Sequence, residues 1–402
     1  MKRFLYYSLL TVALGAALTS CVNDDSDMDD ILAQYLVEPA AIELDFSALD
    51  EAPDVPVTDE NDSAYNDYVE NSPWNKVINI TFDGESVAIN GTVPGVMVQS
   101  SGAHVTVVNM SGPVKFTVSG KTLNGSLKFY GDKRFQVLLD GAEITNPTGA
   151  AINNQGSKTM YVVLADGTVN RLQDGAEYTM VDEEDQKAAL FSEGQMVFSG
   201  KGELNVVAVG RGGIRSDDYI RIRPGVKIYV NSTALDGLRA NDGIILDGGV
   251  INVLTSGVGA KGVRSGGPMT VNGGRLVAIN NGDTRVETEE NDTTACAALY
   301  CDTIVTVNAG MLCLKATGDG GKGLNAKHDV VIIGGSFQAV ATGTRENKKP
   351  KGVKVDGNFA IGGGYFYTYS RRSDPLEVGG TMTVAEGYHS YERGPKAITI
   401  AY

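Results

Sequence analysis

Leu238-Arg239-Ala240-Asn241-Asp242-Gly243-Ile244-Ile245-Leu246-Asp247-Gly248-Gly249-Val250-Ile251-Asn252-Val253 holds one complete unit of the architecture. Leu238 is an apolar anchor, and Ile244 and Leu246 follow it by six and eight residues. Such alternation makes a strand with one buried face. Gly249, eleven residues after the anchor, can take φ > 0 and turn the chain sharply into a second alternating strand that carries Ile251 and Val253.

Anchors recur at Leu190, Ile214, Leu238, Val263, Leu299, Leu324, Val353 and Leu376, and six of the seven steps run from 23 to 29 residues. The longer step, Val263 to Leu299, contains a polar insertion at 282–294. Apolar residues stand six and eight after every anchor, as in Met196/Phe198, Ile220/Ile222, Met269/Val271, Val305/Val307, Val330/Ile332, Phe359/Ile361 and Met382/Val384. The glycine column continues through Gly225, Gly274, Gly310, Gly335, Gly364 and Gly387, and Lys201 breaks it. A coil of this kind cannot bury its apolar side alone, whereas stacked coils pair each strand with its neighbours at roughly 4.8 Å. The chain is therefore expected to be an all-β solenoid, a single-stranded parallel β-helix. A β-sandwich would not hold one register of anchor, strand and glycine over so many repeats. Small residues two after the anchor, Ser192, Ser216, Ala240, Ser265, Cys301 and Ala326, should stack inward, which leaves Cys313 as the exposed thiol. Weaker coils precede residue 190, with Leu127 and Ile152 as anchors, and the strand 76–82 begins or caps the stack.

The N-terminus reads differently. Lys2 and Arg3 precede an apolar run, 4–18, too short to span a bilayer, which ends at Leu18-Thr19-Ser20-Cys21. This resembles the lipobox of bacterial lipoproteins. It implies a signal peptide at 1–20, lipidation at Cys21 and anchoring in the outer membrane. The run Asp24-Asp25-Ser26-Asp27-Met28-Asp29-Asp30 is similar to the signal that exports Bacteroidota lipoproteins to the cell surface, and it would serve equally as a solvated tether. Of 49 acidic residues, 16 lie in 22–75, where no Lys or Arg occurs, leaving 33 acids against 32 bases beyond it. The expected organisation is an acidic flexible tether at 21–75 and a near-neutral body at 76–402. A near-neutral body has no basic excess to neutralise a phosphate backbone, so nucleic acid is excluded as a partner. Cys296, Cys301 and Cys313 are odd in number and His104, His328 and His389 are scattered, so no zinc spacing exists.

Tyr161-Val-Val-Leu-Ala-Asp-Gly-Thr-Val-Asn, Leu172-Gln-Asp-Gly, Tyr178, Asp182-Glu183-Glu184 and Ala188-Ala-Leu-Phe-Ser-Glu-Gly, with Gly213-Ile-Arg-Ser-Asp-Asp and Leu235-Asp-Gly-Leu-Arg-Ala-Asn-Asp, resemble a known family. It is the bacterial carbohydrate-binding β-helix family first met among clostridial cellulose- and polygalacturonate-binding proteins, related in fold to family 9 pectate lyases. The resemblance covers residues 76–390. It implies a right-handed parallel β-helix that binds acidic or neutral plant polysaccharide and holds calcium through acidic loop residues. It does not imply lyase activity.

The residues themselves mark where such a ligand would sit. Asp217 and Asp218 follow Ile214 by three and four, Asn241 and Asp242 follow Leu238 by the same offsets, and Asp236 precedes Leu238 by two. Clustered carboxylate and amide oxygens on a rigid scaffold suit calcium, and they equally suit the solvated row of a turn. Arg215, Arg239, Arg264 and Lys354 each follow their anchor by one, while Lys261, Lys322 and Lys351 precede theirs by two, forming a basic row. Arginine can hold a carboxylate in bidentate fashion. Lys261 is the one candidate for the base of a pectate-type lyase. Tyr365, Tyr367 and Tyr369 alternate as one face of a strand, either a stripe for stacking on sugars or a cover for the C-terminal end. Trp74 is expected to cap the first coil. Three functions follow: a calcium-assisted polysaccharide-binding protein, a polysaccharide lyase, or an adhesive surface protein without a sugar ligand.

Overall fold

The computed structural model describes residues 54–401 apart from 182, 288–291 and 393–396. They form a parallel β-solenoid of about eleven turns, with no α-helix among the described residues. One column of strands pairs Leu127, Ile152, Leu190, Ile214, Leu238, Val263, Leu299, Leu324, Val353 and Leu376 in unbroken register. A second column pairs Met196, Ile220, Ile244, Met269, Val305, Val330, Phe359 and Met382. Both are the columns expected from the anchors, the two weaker coils included.

The interior is a stack of these apolar rows, continuous from Ile78 to Ile400. Ser192, Ser216, Ala240, Ser265, Cys301 and Ala326 are buried at the corner after the anchor. Serine is tolerated there because its hydroxyl finds a backbone carbonyl: Ser216 Oγ donates to Gly194 O at 2.9 Å and Ser265 Oγ to Gly267 O at 2.7 Å. Every member of the glycine column has positive φ, from 72° at Gly274 to 91° at Gly225. The apparent break at Lys201 is a shift, because Gly200 (φ 91°) makes the turn one residue earlier. Cys313 is half-buried rather than exposed, being flanked in register by Val277 and Gln338.

The ends of the stack are protected by antiparallel strands. The first rung, Val77–Asp83, pairs with Ser86–Asn90, and Ala397–Ala401 returns against Tyr365–Ser370. Such covers blunt the open edges of a long parallel sheet.

Residues 54–75, assigned above to the flexible tether, lie as a strap along the outer face of the solenoid. Arg223, 1% exposed, is gripped by Glu70 (Nη1–Oε2 2.7 Å, Nη2–Oε1 3.1 Å) and Asp54 (Nη2–Oδ2 2.8 Å). Arg221 reaches Asp67 at 2.9 Å, and Tyr219 donates its hydroxyl to the same carboxylate. Tyr68 lies under both guanidinium groups, 5.3 Å from that of Arg221 and 4.5 Å from that of Arg223. Trp74 belongs to this strap and meets Tyr161 edge-on at 5.5 Å, instead of covering the apolar end of the first coil. The excess acid in this part of the segment therefore answers buried cations on the body. Cys21 and the acidic run after it lie outside the described residues.

Candidate functional site

Because Phe191, Arg215, Arg239, Arg264 and Tyr300 pair in register, the three arginines leave one outer face on consecutive rungs, about 4.8 Å apart. Together with Lys187, Lys261 and Arg285 they line a cleft in which Asp236 is the only carboxylate among the described residues, and Leu235 and Val258 form an apolar rim. Asp236 Oδ1 accepts the backbone N–H of Lys261 at 2.8 Å, while its Oδ2 stands 3.7 Å from Arg239 and 4.0 Å from Arg264. One carboxylate is thus spread over several cations. The Arg239 guanidinium is held below its usual range, first by burial and then by its like-charged neighbours Arg264 and Arg215.

Lys261 is buried at the floor of the cleft and donates to Gly259 O. Burial pulls its amine down to about 8; Arg264 and Arg285 add to the effect and Asp236 opposes it. Tyr300 closes the row, with the Arg264 guanidinium 5.2 Å and the Lys261 ammonium 5.7 Å from its ring centre.

The five residues expected to hold calcium do not converge on one point, and of them Asp217 and Asn241 meet each other. Asp217 turns toward the basic row, accepting Arg215 (Nε 3.1 Å, Nη2 3.0 Å), Asn241 Nδ2 (3.0 Å) and Lys187. Asp218 turns to the other side of the corner: burial raises its carboxyl, and the nearby charges of Asp242 and Asp67 raise it further. Asp236 stays in the cleft. The structure instead gathers Asp185, Glu193 and Asp217, which each offer a carboxylate oxygen within 4.8 Å of the others. Lys187 donates to two of them, Asp185 and Asp217. Glu193 is raised by burial and then by Asp217. Its place was legible, since Glu193, Asp217 and Asn241 each stand three residues after their anchor.

The tyrosine stripe is no exposed platform. Tyr367 and Tyr369 are 7% and 5% exposed and pack with Ala397 and Val340 beneath the returning C-terminal strand, and Tyr365 is partly buried beside them. The covering role is the one the structure realises.

The family model described as carbohydrate-binding domain-containing protein matches residues 101–397, which include every residue of the cleft. A carbohydrate-binding domain-containing protein of Acetivibrio thermocellus is 30% identical over 150 residues, 36% of this chain and 50% of that protein. The chain thus spans about half the length of this relative. The solved structure of the polysaccharide lyase-like protein from C. thermocellum, as its gadolinium derivative, aligns at 21% identity with a TM-score of 0.46, covering 77% of this chain and 97% of that one. With three quarters of its length inside one family model, the chain belongs to the carbohydrate-binding domain-containing proteins.

Proposed function

We propose that the chain is a cell-surface lipoprotein that binds an acidic polysaccharide in the arginine cleft. One observation carries the reading: Lys187, Arg215, Arg239, Lys261, Arg264 and Arg285 line one cleft with Asp236, and although Asp185, Asp217, Asp302 and Glu287 pair with four of the six from outside its lining, cations still outnumber carboxylates there. Crowded cations repel one another in a half-buried cleft, and an anionic ligand relieves that repulsion on binding. Arginine suits the task because its planar fork matches a uronate or sulfate group. Retention of the protein on a panel of acidic and neutral glycans, with and without chelator, tests the reading. Preference for acidic members that fades as salt is raised is the expected result, and retention on none of them excludes it.

Calcium assistance is proposed at Asp185, Glu193 and Asp217 rather than at the residues picked out by spacing. Three carboxylate oxygens on rigid rungs fit a hard cation, but the ammonium of Lys187 already answers two of them. Calcium must displace it. Lys187→Met is therefore expected to bind calcium more tightly than the parent chain. At about a hundred times Kd the ion adds roughly 2.7 kcal/mol to folded-state stability. A calcium-dependent rise in Tm that is larger in Lys187→Met, is lost in Asp217→Asn and is poorly reproduced by magnesium supports the site. A Tm indifferent to calcium in all three chains removes it.

Outer-membrane anchoring is proposed through Cys21, on the strength of Leu18-Thr19-Ser20-Cys21. Cys21→Ala should move the protein from the membrane fraction to the soluble fraction, and unchanged retention would refute the anchor.

A second reading, polysaccharide lyase, is favoured by Lys261 alone, whose amine at about 8 lies beside the cations of the cleft. A base near neutral pKa is what proton abstraction next to a uronate carboxylate requires. Release of unsaturated uronides from polygalacturonate, abolished by Lys261→Arg, would establish it. Intact polymer after prolonged incubation leaves the protein a binder.

A further inference from the structure

We infer that the cleft is closed at both ends, so that it selects a short acidic oligosaccharide or the terminus of an acidic chain over the interior of a long one. This rests on the reading of the cleft as an anionic-glycan site and adds a length limit to it.

The first reason is electrostatic. The cationic row runs over three rungs, Arg215, Arg239 and Arg264, a span of about 10 Å at roughly 4.8 Å per rung, the length of two or three sugar rings. Carboxylates stand at each end of it. Beyond Arg215, toward the rung of Phe191, lie Asp185 and Glu193. Beyond Arg264 lies Asp302, which is 3.7 Å from the Arg264 guanidinium and accepts the Tyr300 hydroxyl at 2.8 Å. With no cation held by Asp185 and Glu193, a polyanion continuing past either end would carry its next charges onto these acids, and like charges brought together oppose binding. An oligosaccharide that stops within the three rungs meets Arg215, Arg239 and Arg264 together with carboxylates already paired to them, Asp217 and Asp236.

The second reason is steric and independent of charge. The insertion that lengthens one repeat forms an antiparallel hairpin, Arg285–Glu287 with Asp292–Thr294, which pairs with neither solenoid sheet. Its base is folded back over the preceding coil. The backbone N–H of Gly259 donates to Asp283 O at 2.8 Å, and a Cβ added to Gly259 (φ +73°) would stand 2.9 Å from Arg285 Cβ. Glycine at 259 is what lets the hairpin descend this far. Arg285 and Thr294 consequently become part of the cleft lining, on the side of the coil that carries Tyr300. The hairpin base thus narrows the cleft beside Gly259 and Lys261, where a long chain following the arginine row would have to pass it.

The test uses calorimetry, with a chelator present, with acidic oligosaccharides of defined length and with long polyuronate at equal concentration of chain ends, comparing the full protein with two variants. In one, residues 286–293 are replaced by two glycines; the other is Asp302→Asn. Because the hairpin strands join neither solenoid sheet and its base at 283–285 is kept, its removal should leave the Tm of the solenoid in place. For the parent chain, affinity should rise up to the trisaccharide and then level off, and polymer should titrate according to its ends. Each variant should gain about tenfold in affinity for polymer per sugar while holding the trisaccharide as before. Parent affinity that climbs steadily with length, or variants that treat polymer as the parent does, overturns the length limit and leaves acidic-glycan binding standing. Failure of every acidic ligand, short and long, overturns the parent reading and this one with it.

Discussion

Arg239→Gln combined with Arg264→Gln should weaken binding of an acidic trisaccharide by about two orders of magnitude while leaving the fold intact. A hydrogen bond to a charged group is worth about 1.5–3 kcal/mol, so the loss of two guanidinium contacts reaches that scale at about 1.4 kcal/mol per tenfold. Stability should not suffer in proportion. Arg239 is crowded by Arg264 and Arg215, and Asp236 keeps its hydrogen bond from the backbone of Lys261, so the neutral pair relieves repulsion as it gives up weak attraction. The salt dependence of binding should also become shallower, because fewer ligand charges are matched. Calorimetry at two ionic strengths with a parallel Tm measurement checks all three expectations. Undiminished affinity in a folded double variant would place the glycan elsewhere on the solenoid.

The two strand columns were legible because inward direction, register and glycine turns all follow from one periodicity. Leu238, Ile244 and Gly249 each announce a position that repeats in every coil, and the pairing confirms it residue by residue. The arginine row was legible for the same reason, since Arg215, Arg239 and Arg264 share an offset from their anchors. The calcium set was not. Alternation separates inside from outside on a strand, but Asp217 and Asp218 lie where the chain leaves the strand, and nothing in their spacing says which side of the corner each carboxylate takes. Lys187 and Arg285 enter the cleft from connections that have no fixed offset, so no column points to them. Tyr367 and Tyr369 do alternate outward as read. Their burial depends on the long-range return of Ala397–Ala401, which local pattern does not contain.

The acidic segment shows the same limit, and its docking leads to the second large effect. Arg221→Met should release residues 54–75 from the body without melting the solenoid. Asp67 is 4% exposed and is held by Arg221 and the Tyr219 hydroxyl, so removal of the guanidinium leaves a buried carboxylate without its cation. Breaking a buried pair in this way costs about 3–5 kcal/mol. The solenoid need not bear that cost, because the strap can lift and return Asp67 to water; the loss is then capped at the free energy of docking the strap. Hydrogen exchange of the amides in Tyr65–Asp67 and Val69–Asn71 should accelerate by about a hundredfold or more, with the global Tm little changed. Arg221→Lys should fall between, since an ammonium keeps the charge and loses the fork that joins Asp67 to Asp247. Glu70→Gln is the control: Glu70 is 48% exposed, glutamine keeps an acceptor for Arg223 and Asp54 keeps its charge there, so the loss should be smaller than in Arg221→Met. Equal exchange in Arg221→Met and Glu70→Gln would mean that the strap is held by Tyr68 and Trp74 packing rather than by its charges.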